Sequence, residues 1–378
     1  MRRLSPSPAR SIAQLAPVAS LALAGLLIAC PVFAGASVAL GAGRAPAVSL
    51  APAASPPPVA SSPPPAPASG PPVAGRVKLV LEHVGGSPPF ALVGETVRVR
   101  GIVVPYVGGQ TVKLSFYREG RKVEVKEITV GAARTGAGQF RVGFASSYPG
   151  RVEVRAAHYD TPQQGAFSGR SPGVRFVNPN VGPGAQGQSV RLLQSELNVL
   201  HYAVPLSGVF DEGTARALIA YRKVTGLELV PLAGRHIFTL LARGAGGFHV
   251  RYPRDGRHVE ADLTRQVLAE IEPHGRVQAI YAMSSGKPST PTVIGHFQVY
   301  SKTPGVNSEG MVDSNYFIRG YAIHGYPEVP TFAASHGCLR IPIPDASAVY
   351  AWVRYGTPVD VYNESGGGSH HVRGNAGP

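Results

Sequence analysis

Ile323-His324-Gly325 and, further along, Ser335-His336-Gly337-Cys338-Leu339-Arg340 bring a thiol, two imidazoles and a guanidinium within eighteen positions of one another. A cysteine is a strong nucleophile only as the thiolate, so a reactive cysteine needs a base or cation beside it and a donor for the developing oxyanion. His336 lies two residues before Cys338, and in an extended strand two such residues point to the same face. Gly337 between them leaves backbone N–H groups accessible. The pattern predicts an activated cysteine.

A purely structural interpretation of this stretch is weaker. A single cysteine in an apolar run is usually a small buried hydrophobe, and a single histidine is usually a satisfied structural group. Here Ser335 and Arg340 occur with His336, Gly337 and Cys338 within six consecutive positions. The packing of a core does not require a His-Gly-Cys sequence followed by a cation. We therefore interpret the stretch as catalytic.

The same residues resemble the signature of the L,D-transpeptidases of bacterial cell walls, whose catalytic domain is of the YkuD type. The resemblance covers residues 248–363 and implies a mostly β domain built on a curved sheet. The interval between His324 and Ser335 is short for the family, with ten residues, and Arg340 stands where some members carry Asn. Four earlier blocks match in order: Ser284-Ser285-Gly286-Lys287, Thr290-Pro291-Thr292, Gly295-His296-Phe297 and Ser301-Lys302-Thr303-Pro304-Gly305.

The apolar pattern within residues 248–363 predicts mainly strands. Strands are predicted at Val277–Met283, His296–Ser301 and Tyr321–His324, and one helix at Asp345–Tyr355. This content agrees with the mostly β fold that the resemblance implies.

The resemblance implies that Cys338 attacks the carbonyl before a D-amino acid in a stem tetrapeptide, expels D-Ala and holds the tripeptide as a thioester. An amine of a neighbouring stem then resolves the thioester and forms a 3→3 peptidoglycan cross-link. We assign His336 as the base, and the N–H groups of Gly337 and Cys338 as oxyanion donors. The remaining assignments are His324 lining the pocket, Arg340 holding a carboxylate or the loop, Ser335 orienting His336, and Tyr316, Phe317 and Tyr326 as pocket walls or aromatic core.

Several alternatives remain open at this point. Water as the acceptor would give an L,D-carboxypeptidase, and a protein lysine would give attachment of a protein to the wall. A metal site built from His324, His336 and Cys338 lacks a fourth ligand spaced nearby, so no metal and no cofactor are expected. The rival from another class is a non-catalytic wall-binding scaffold, against which the intact Cys338 and His336 argue.

The composition favours anionic partners. The chain has 378 residues, enough for roughly two or three domains, and a formal net charge of +14. Such a charge suits peptidoglycan, anionic wall polymers or anionic lipid. The sequence contains no zinc finger, no RNA-stacking aromatic motif and no helix of clustered Lys and Arg, so we expect no nucleic-acid partner. Of the two cysteines, Cys30 lies in an export region, which leaves Cys338 as a reactive thiol.

Residues 1–43 have the layout of an export signal, with three arginines ahead of an apolar run. Leu27-Ile28-Ala29-Cys30 resembles a lipobox, in which Cys30 would be lipidated. Val32-Phe33-Ala34 offers an ordinary cleavage site, and the run is also long enough for a single membrane anchor. All three interpretations place the rest of the chain outside the cytoplasm, in the cell envelope.

Residues 44–75, dominated by Pro, Ala and Ser, are expected to form an extended spacer, and residues 364–378 a disordered tail. The tail's His370 and His371 could bind metal adventitiously, with nothing around them to complete a site. Residues 76–178 predict an antiparallel β-sandwich of immunoglobulin-like type, because short β-rich runs alternate with turns. The predicted strands are Val77–His83, Thr96–Val104, Thr111–Arg118, Val123–Val130, Gln139–Ala145, Arg151–Ala157 and Gly173–Val177.

Residues 184–243 change to helical periodicity, and Asp211 is placed to cap a second helix running through Tyr221. The segment resembles the small three-helix peptidoglycan-binding domain of the PG_binding_1 type, although Tyr221-Arg222 stands where that family usually reads Phe-Gln. The matching residues are mostly core, so they support the fold better than a glycan contact. The residues at three- and four-residue steps are Val190, Leu193, Leu197 and Leu200.

Overall fold

The computed structural model describes residues 70–133 and 136–365. The export signal, the Cys30 lipobox, most of the Pro-rich spacer and nearly all of the tail lie outside the described residues. Among the residues it describes, no helix is long and apolar enough to cross a membrane.

The first described segment is a pair of β-sheets. One sheet has the order β1-β3-β7-β6, and the other has the order β2-β10-β8-β4-β5 with β9 added to β8. The strands are β1 (Arg76–Glu82), β2 (Phe90–Leu92), β3 (Thr96–Val104), β4 (Thr111–Arg118), β5 (Arg121–Thr129), β6 (Gly131–Ala132), β7 (Gly138–Ala145), β8 (Gly150–His158), β9 (Phe167–Arg170) and β10 (Val174–Val177).

Alternation of side chains explains why the two sheets share one core. Along β3, Val97, Val99, Gly101 and Val103 are buried, while Arg98, Arg100 and Ile102, which alternate with them, are more exposed. The three valines pack in one cluster with side chains of the other sheet, including Leu114 and Val154. A strand occurs at each of the seven predicted runs, and the prediction omitted the three short strands β2, β6 and β9. The immunoglobulin-like assignment stays a prediction.

Three helices follow, α1 (Gln188–Val199), α2 (Glu212–Thr225) and α3 (Arg235–Ala242). Asp211 is the N-cap of α2, where its carboxylate accepts the Thr214 backbone N–H at 2.8 Å. Gly226 ends α2 in the left-handed conformation that glycine adopts at low cost. The capping role predicted for Asp211 therefore occurs in the structure.

The helices do not bury their apolar faces only against one another. Their core cluster also contains Phe90 and Leu92 of the sandwich, and Val267 and Ile280 of the following domain. Tyr202, after α1, forms a bridge with Ile280. One continuous core thus joins the helical segment to both neighbours.

The C-terminal segment consists of two further sheets and one helix. The sheet orders are β13-β12-β11-β19-β14 and β15-β16-β17-β18. The elements are β11 (His258–Asp262), β12 (Val267–Glu272), β13 (Arg276–Ala282), β14 (Gly295–Gln298), β15 (Ser301–Val306), β16 (Val312–Ile318), β17 (Tyr321–Tyr326), β18 (Leu339–Pro342), α4 (Ile343–Trp352) and β19 (Pro358–Tyr362). The mostly β prediction for this segment is confirmed, and the predicted helix begins and ends slightly earlier than expected.

The single strand predicted at His296–Ser301 is wrong. The chain leaves the five-stranded sheet after Gln298 and enters the four-stranded sheet at Ser301. Between them, Val299 donates to Thr357 while Tyr300 donates to Tyr316, so consecutive residues bond to different sheets. Apolar periodicity does not reveal such a crossing, because the chain stays extended through it.

Lys223 fastens α2 to the C-terminal segment. Its ammonium group is buried and donates to the carbonyls of Gln266 and Met283, at 3.0 and 2.9 Å. Burial lowers the pKa of Lys223 to about 7. Ser284 and Ser285, which follow Met283, form backbone hydrogen bonds with the stretch that contains Cys338. Lys223 therefore links the helical segment to the strand whose end pairs with the residues around Cys338.

We expect this lysine to make stability depend on pH. Between pH 8 and 10 the unfolded chain keeps a proton that folded Lys223 has released, so the free energy of unfolding rises with pH. The contribution is at most roughly 1.4 kcal/mol per pH unit. Urea unfolding at several pH values should show a smaller slope for Lys223→Met than for the unchanged protein. Identical slopes would contradict a depressed pKa at this position.

Candidate active site

The pairing of β17 with β18 builds the site. The two strands are parallel, with Ile323 opposite Leu339 and His324 opposite Arg340. Cys338 immediately precedes β18, so it lies beside Ala322. Because side chains alternate along a strand, His324 and Cys338 lie on the same face of neighbouring strands. The sheet register, rather than closeness in sequence, brings this imidazole and this thiol together.

Cys338 is a free, partly buried thiol. Its Sγ lies 3.7 Å from the carbonyl oxygen of Gly320. Burial raises the pKa of Cys338, while the Ala322 N–H and the charge of Arg340 act in the opposite direction. The resting group is therefore a thiol at neutral pH, and a base must remove its proton during attack.

His324 has the properties of such a base. It is 1% exposed, and its Nδ1 lies 2.9 Å from the carbonyl oxygen of Gly325. A carbonyl can only accept, so Nδ1 carries the hydrogen and Nε2 keeps its lone pair. Burial and the nearby charge of Arg340 lower the pKa of His324. The ring is neutral at pH 7 and can accept a proton at Nε2.

Arg340 and Tyr326 complete this face. The Arg340 guanidinium carbon lies 4.0 Å from the centre of the Tyr326 ring, and that ring meets His324 edge to face at 5.7 Å. Arg340 also exchanges backbone hydrogen bonds with Ser284, which hold its strand in place. Tyr326 thus contacts His324 and Arg340, and its role as a pocket wall stays a prediction.

His336, the residue predicted to be the base, has a different neighbourhood. It is exposed, and its Nε2 lies 3.2 Å from the ammonium nitrogen of Lys287. Lysine only donates, so this Nε2 is the acceptor of that contact. Within residues 70–133 and 136–365, no hydrogen bond connects His336 with Cys338. The β17–β18 register puts His324 on the face that carries the thiol, whereas the ring of His336 contacts Lys287.

Ser335 holds the turn before Cys338 instead of orienting His336. Its hydroxyl donates to the Cys338 carbonyl at 2.6 Å and accepts the Gly337 N–H at 3.0 Å. Its own carbonyl accepts from Lys287 N and Thr290 Oγ1. The expectation that Ser335 orients His336 is therefore corrected: every polar group of this buried serine is used to fix the turn.

Gly337 also departs from its predicted role. Because its N–H already donates to Ser335, it cannot serve as a free oxyanion donor, and of the two predicted donors the Cys338 N–H remains. Gly337 has φ 119°, and a Cβ there would overlap the Tyr321 ring. Only glycine fits this combination of backbone angle and close approach.

Gly337→Ala should therefore disturb the nucleophile. We expect a loss of roughly 1–3 kcal/mol from the backbone conformation, with a further loss from the Tyr321 overlap. The acylation rate should fall at least tenfold. Gly356→Ala is the matched control, because Gly356 also has positive φ (79°) but a Cβ there meets no atom within 4 Å. Thermal unfolding and acylation rates measure both effects, and wild-type acylation by Gly337→Ala would contradict this account.

The other two aromatic candidates, Tyr316 and Phe317, lie in different environments. Tyr316 is half-buried and pairs with Ala322, so it lies in line with Cys338 across three strands. Phe317 is 3% exposed and packs against Phe297 with ring centres 5.6 Å apart. The structure thus leaves Tyr316 available as a wall and places Phe317 in the core.

Residues 256–361 match the family model of the L,D-transpeptidase catalytic domain, YkuD. The chain is also 30% identical to a crystallised L,D-transpeptidase from Xylanimonas cellulosilytica, over 49% of this chain and 98% of that one, with a TM-score of 0.46. The chain belongs to the L,D-transpeptidase family. This transpeptidase domain lies inside the residues 248–363 expected from the motifs.

Other solved structures are similar to this protein at lower sequence identity. An L,D-transpeptidase from Stackebrandtia nassauensis is 20% identical, over 48% of this chain and 94% of that one, with a TM-score of 0.31. A fused Zn-dependent amidase/peptidase/peptidoglycan-binding domain-containing protein from Clostridium acetobutylicum is 18% identical, over 48% and 99%, with a TM-score of 0.26. No curated protein sequence matches the chain.

Sequence reasoning gave no role to two side chains that support the transpeptidase site. Thr292 Oγ1 donates to the Gly337 carbonyl at 2.8 Å and accepts the Gly286 N–H at 2.8 Å. The side-chain amide of Gln266 donates through Nε2 to the Ser285 hydroxyl and accepts the Ser285 backbone N–H at Oε1, at 2.7 Å each. Thr292 belongs to a matching family block, which was a signal for it. Gln266 belongs to none of the matching blocks.

Proposed function

We propose that the chain is a cell-wall L,D-transpeptidase in which Cys338 is the nucleophile and His324 is the general base. One observation carries the assignment of the base. His324 shares a face with Cys338, and its Nδ1 contact with the Gly325 carbonyl directs the basic Nε2 away from that carbonyl. This replaces the assignment of His336, whose ring contacts Lys287.

In the first half-reaction the Cys338 sulfur attacks the carbonyl that precedes the terminal D-Ala of a stem tetrapeptide. The thiol proton moves to Nε2 of His324 as the C–S bond forms. The resulting oxyanion is stabilised by the Cys338 N–H, the donor that the Ser335 turn leaves for this purpose. Collapse breaks the C–N bond, and His324 returns the proton to the departing D-Ala amine.

In the second half-reaction an amine of a neighbouring stem attacks the thioester. His324 accepts the proton of this amine and passes it to the sulfur, so Cys338 leaves as the thiol and the site is restored. The product is a 3→3 cross-link. Arg340 suits a substrate carboxylate, because one face of its guanidinium is stacked on Tyr326 while its N–H groups remain donors in the plane.

The other parts of the chain are proposed to deliver this chemistry to the wall. The three helices supply a peptidoglycan-binding module, and the export signal places the enzyme in the cell envelope, with a lipid at Cys30 or an anchor holding it to the membrane. The net charge of +14 supports contact with anionic wall polymers.

The test is incubation of the purified protein with disaccharide-tetrapeptide monomers and dimers, followed by mass spectrometry of the products and of the intact protein. We expect release of D-Ala, a tripeptide adduct on the proteolytic fragment that contains Cys338, and a new dimer. Hydrolysed tripeptide without a dimer would indicate a carboxypeptidase. Unchanged substrate together with unmodified protein would contradict the transpeptidase and favour a wall-binding scaffold.

A further inference from the structure

A second cluster of chemically active side chains lies in the five-stranded sheet, whereas Cys338 adjoins the four-stranded sheet. Asp255, His296 and Asp360 each offer a potential ligand atom, and these three atoms lie within 4.8 Å of one another. His296 on β14 is directly opposite Asp360 on β19, and Asp255 lies in the turn before β11. Three separate segments of chain therefore converge on one point.

The buried member of the cluster is incompletely satisfied. Asp360 is 1% exposed; its Oδ1 lies 2.6 Å from Nδ1 of His296, and its Oδ2 has no hydrogen-bond partner among the described residues. Leaving a buried carboxylate oxygen without a partner costs about 1–3 kcal/mol or more. A cation at Oδ2 would remove this cost.

Neighbouring residues hold the cluster but are themselves satisfied. Tyr252 packs edge to face on His296, with ring centres 4.9 Å apart. Glu260 accepts the backbone N–H groups of Arg251 and Tyr252 and the Tyr362 hydroxyl, and it also contacts His258. Glu260 is therefore a supporting group, and the cluster atom that lacks a hydrogen-bond partner among the described residues is Oδ2 of Asp360.

We propose that Asp255, His296 and Asp360 form a divalent-metal site that takes Zn²⁺ and is separate from the transpeptidase centre. One imidazole and two carboxylates are a ligand set for zinc, with a fourth position left for water. Zinc-to-ligand distances of about 2.0–2.2 Å require the three atoms to draw closer than they are now. The Asp255 side chain is exposed and can move toward the buried Asp360 to achieve this.

The metal would act as a structural clamp. It would tie the turn before β11 to β14 and β19, which form one end of the five-stranded sheet. A ligand that binds the folded chain and not the unfolded chain raises the free energy of unfolding in proportion to the logarithm of its concentration. The clamp predicts a zinc-dependent melting temperature, which is a readout independent of transpeptidation.

The test uses the full chain carrying Cys338→Ala, His370→Gln and His371→Gln, so that neither the catalytic thiol nor the tail histidines can hold metal. After removal of metal with a chelator, isothermal titration with Zn²⁺ should show one equivalent bound, and the melting temperature should rise. His296→Gln and Asp255→Asn should each weaken binding at least tenfold. His274→Asn is the control, because His274 is an exposed histidine with φ 66°, a conformation that asparagine accepts.

Three outcomes would overturn the proposal. They are no zinc binding in this background, equal binding by His296→Gln and His274→Asn, and tighter binding of Ca²⁺ than of Zn²⁺ in a parallel titration. Asp255→Asn keeps the test decisive if substitutions at the buried Asp360 prevent folding, because Asp255 is exposed. Loss of zinc affinity in Asp255→Asn, at an unchanged metal-free melting temperature, supports the site.

Discussion

Cys338→Ala is expected to abolish formation of the acyl-enzyme and release of D-Ala, with a loss of turnover on the order of 10⁴-fold or more. The sulfur is the group that bonds to the substrate, and no other cysteine occurs among the described residues. Stopped reactions analysed by mass spectrometry should show unmodified protein and intact tetrapeptide.

Cys338→Ser is the companion variant, because it keeps the shape of the side chain. A serine hydroxyl is a much weaker acid than a thiol, and the burial that already raises the pKa of Cys338 would disfavour its ionisation further. We expect an inactive protein with a nearly unchanged melting temperature. Release of D-Ala by Cys338→Ala at the unchanged rate would locate the reaction elsewhere in the chain.

His324→Asn should reduce the rate of acylation by about 10²–10⁴-fold, whereas His336→Asn should change it less than tenfold. The difference follows from the position of the two rings: His324 is buried beside the thiol, and His336 is exposed beside Lys287. Single-turnover acylation by a tetrapeptide measures this step without product release.

The pH dependence provides an independent readout of the same assignment. The pKa of His324 is lowered, so in the unchanged protein acylation should fall only as the pH drops below the ordinary histidine range and Nε2 becomes protonated. His324→Asn should lose this acidic limb, and His324→Gln serves as a second variant if the asparagine destabilises the fold. A large defect in His336→Asn with little effect in His324→Asn would restore His336 as the base.

The motif around Cys338 predicted the family, because a thiol, imidazoles and a guanidinium are unusual so close together, and Cys338 as the nucleophile stays a prediction. The choice of base is where the sequence and our proposal differ. Closeness in sequence favoured His336, whereas the parallel pairing of β17 with β18 brings His324 to the thiol from the preceding strand. Strand register is a property of the whole sheet, and local spacing does not contain it.

The roles given to Ser335 and Gly337 failed for a related reason. A serine beside a histidine suggests a partner for the ring, yet its hydroxyl is closer to the backbone of its own turn. The cluster of Asp255, His296 and Asp360 was likewise hidden, because its members come from three distant segments that only the β14–β19 pairing unites. Helix signals such as the Asp211 cap are local, and this cap occurs in the structure as the sequence predicts.

The apolar cluster that joins α1, α2 and α3 to Ile280 and Val267 also determines how the chain can be divided. A fragment that begins at residue 248 would expose these side chains to water and lose the Lys223 contacts to Gln266 and Met283. The helices and the catalytic sheets should therefore melt in a single cooperative transition. We therefore expect a fragment that begins at residue 248 to be less stable than one that also contains α1, α2 and α3.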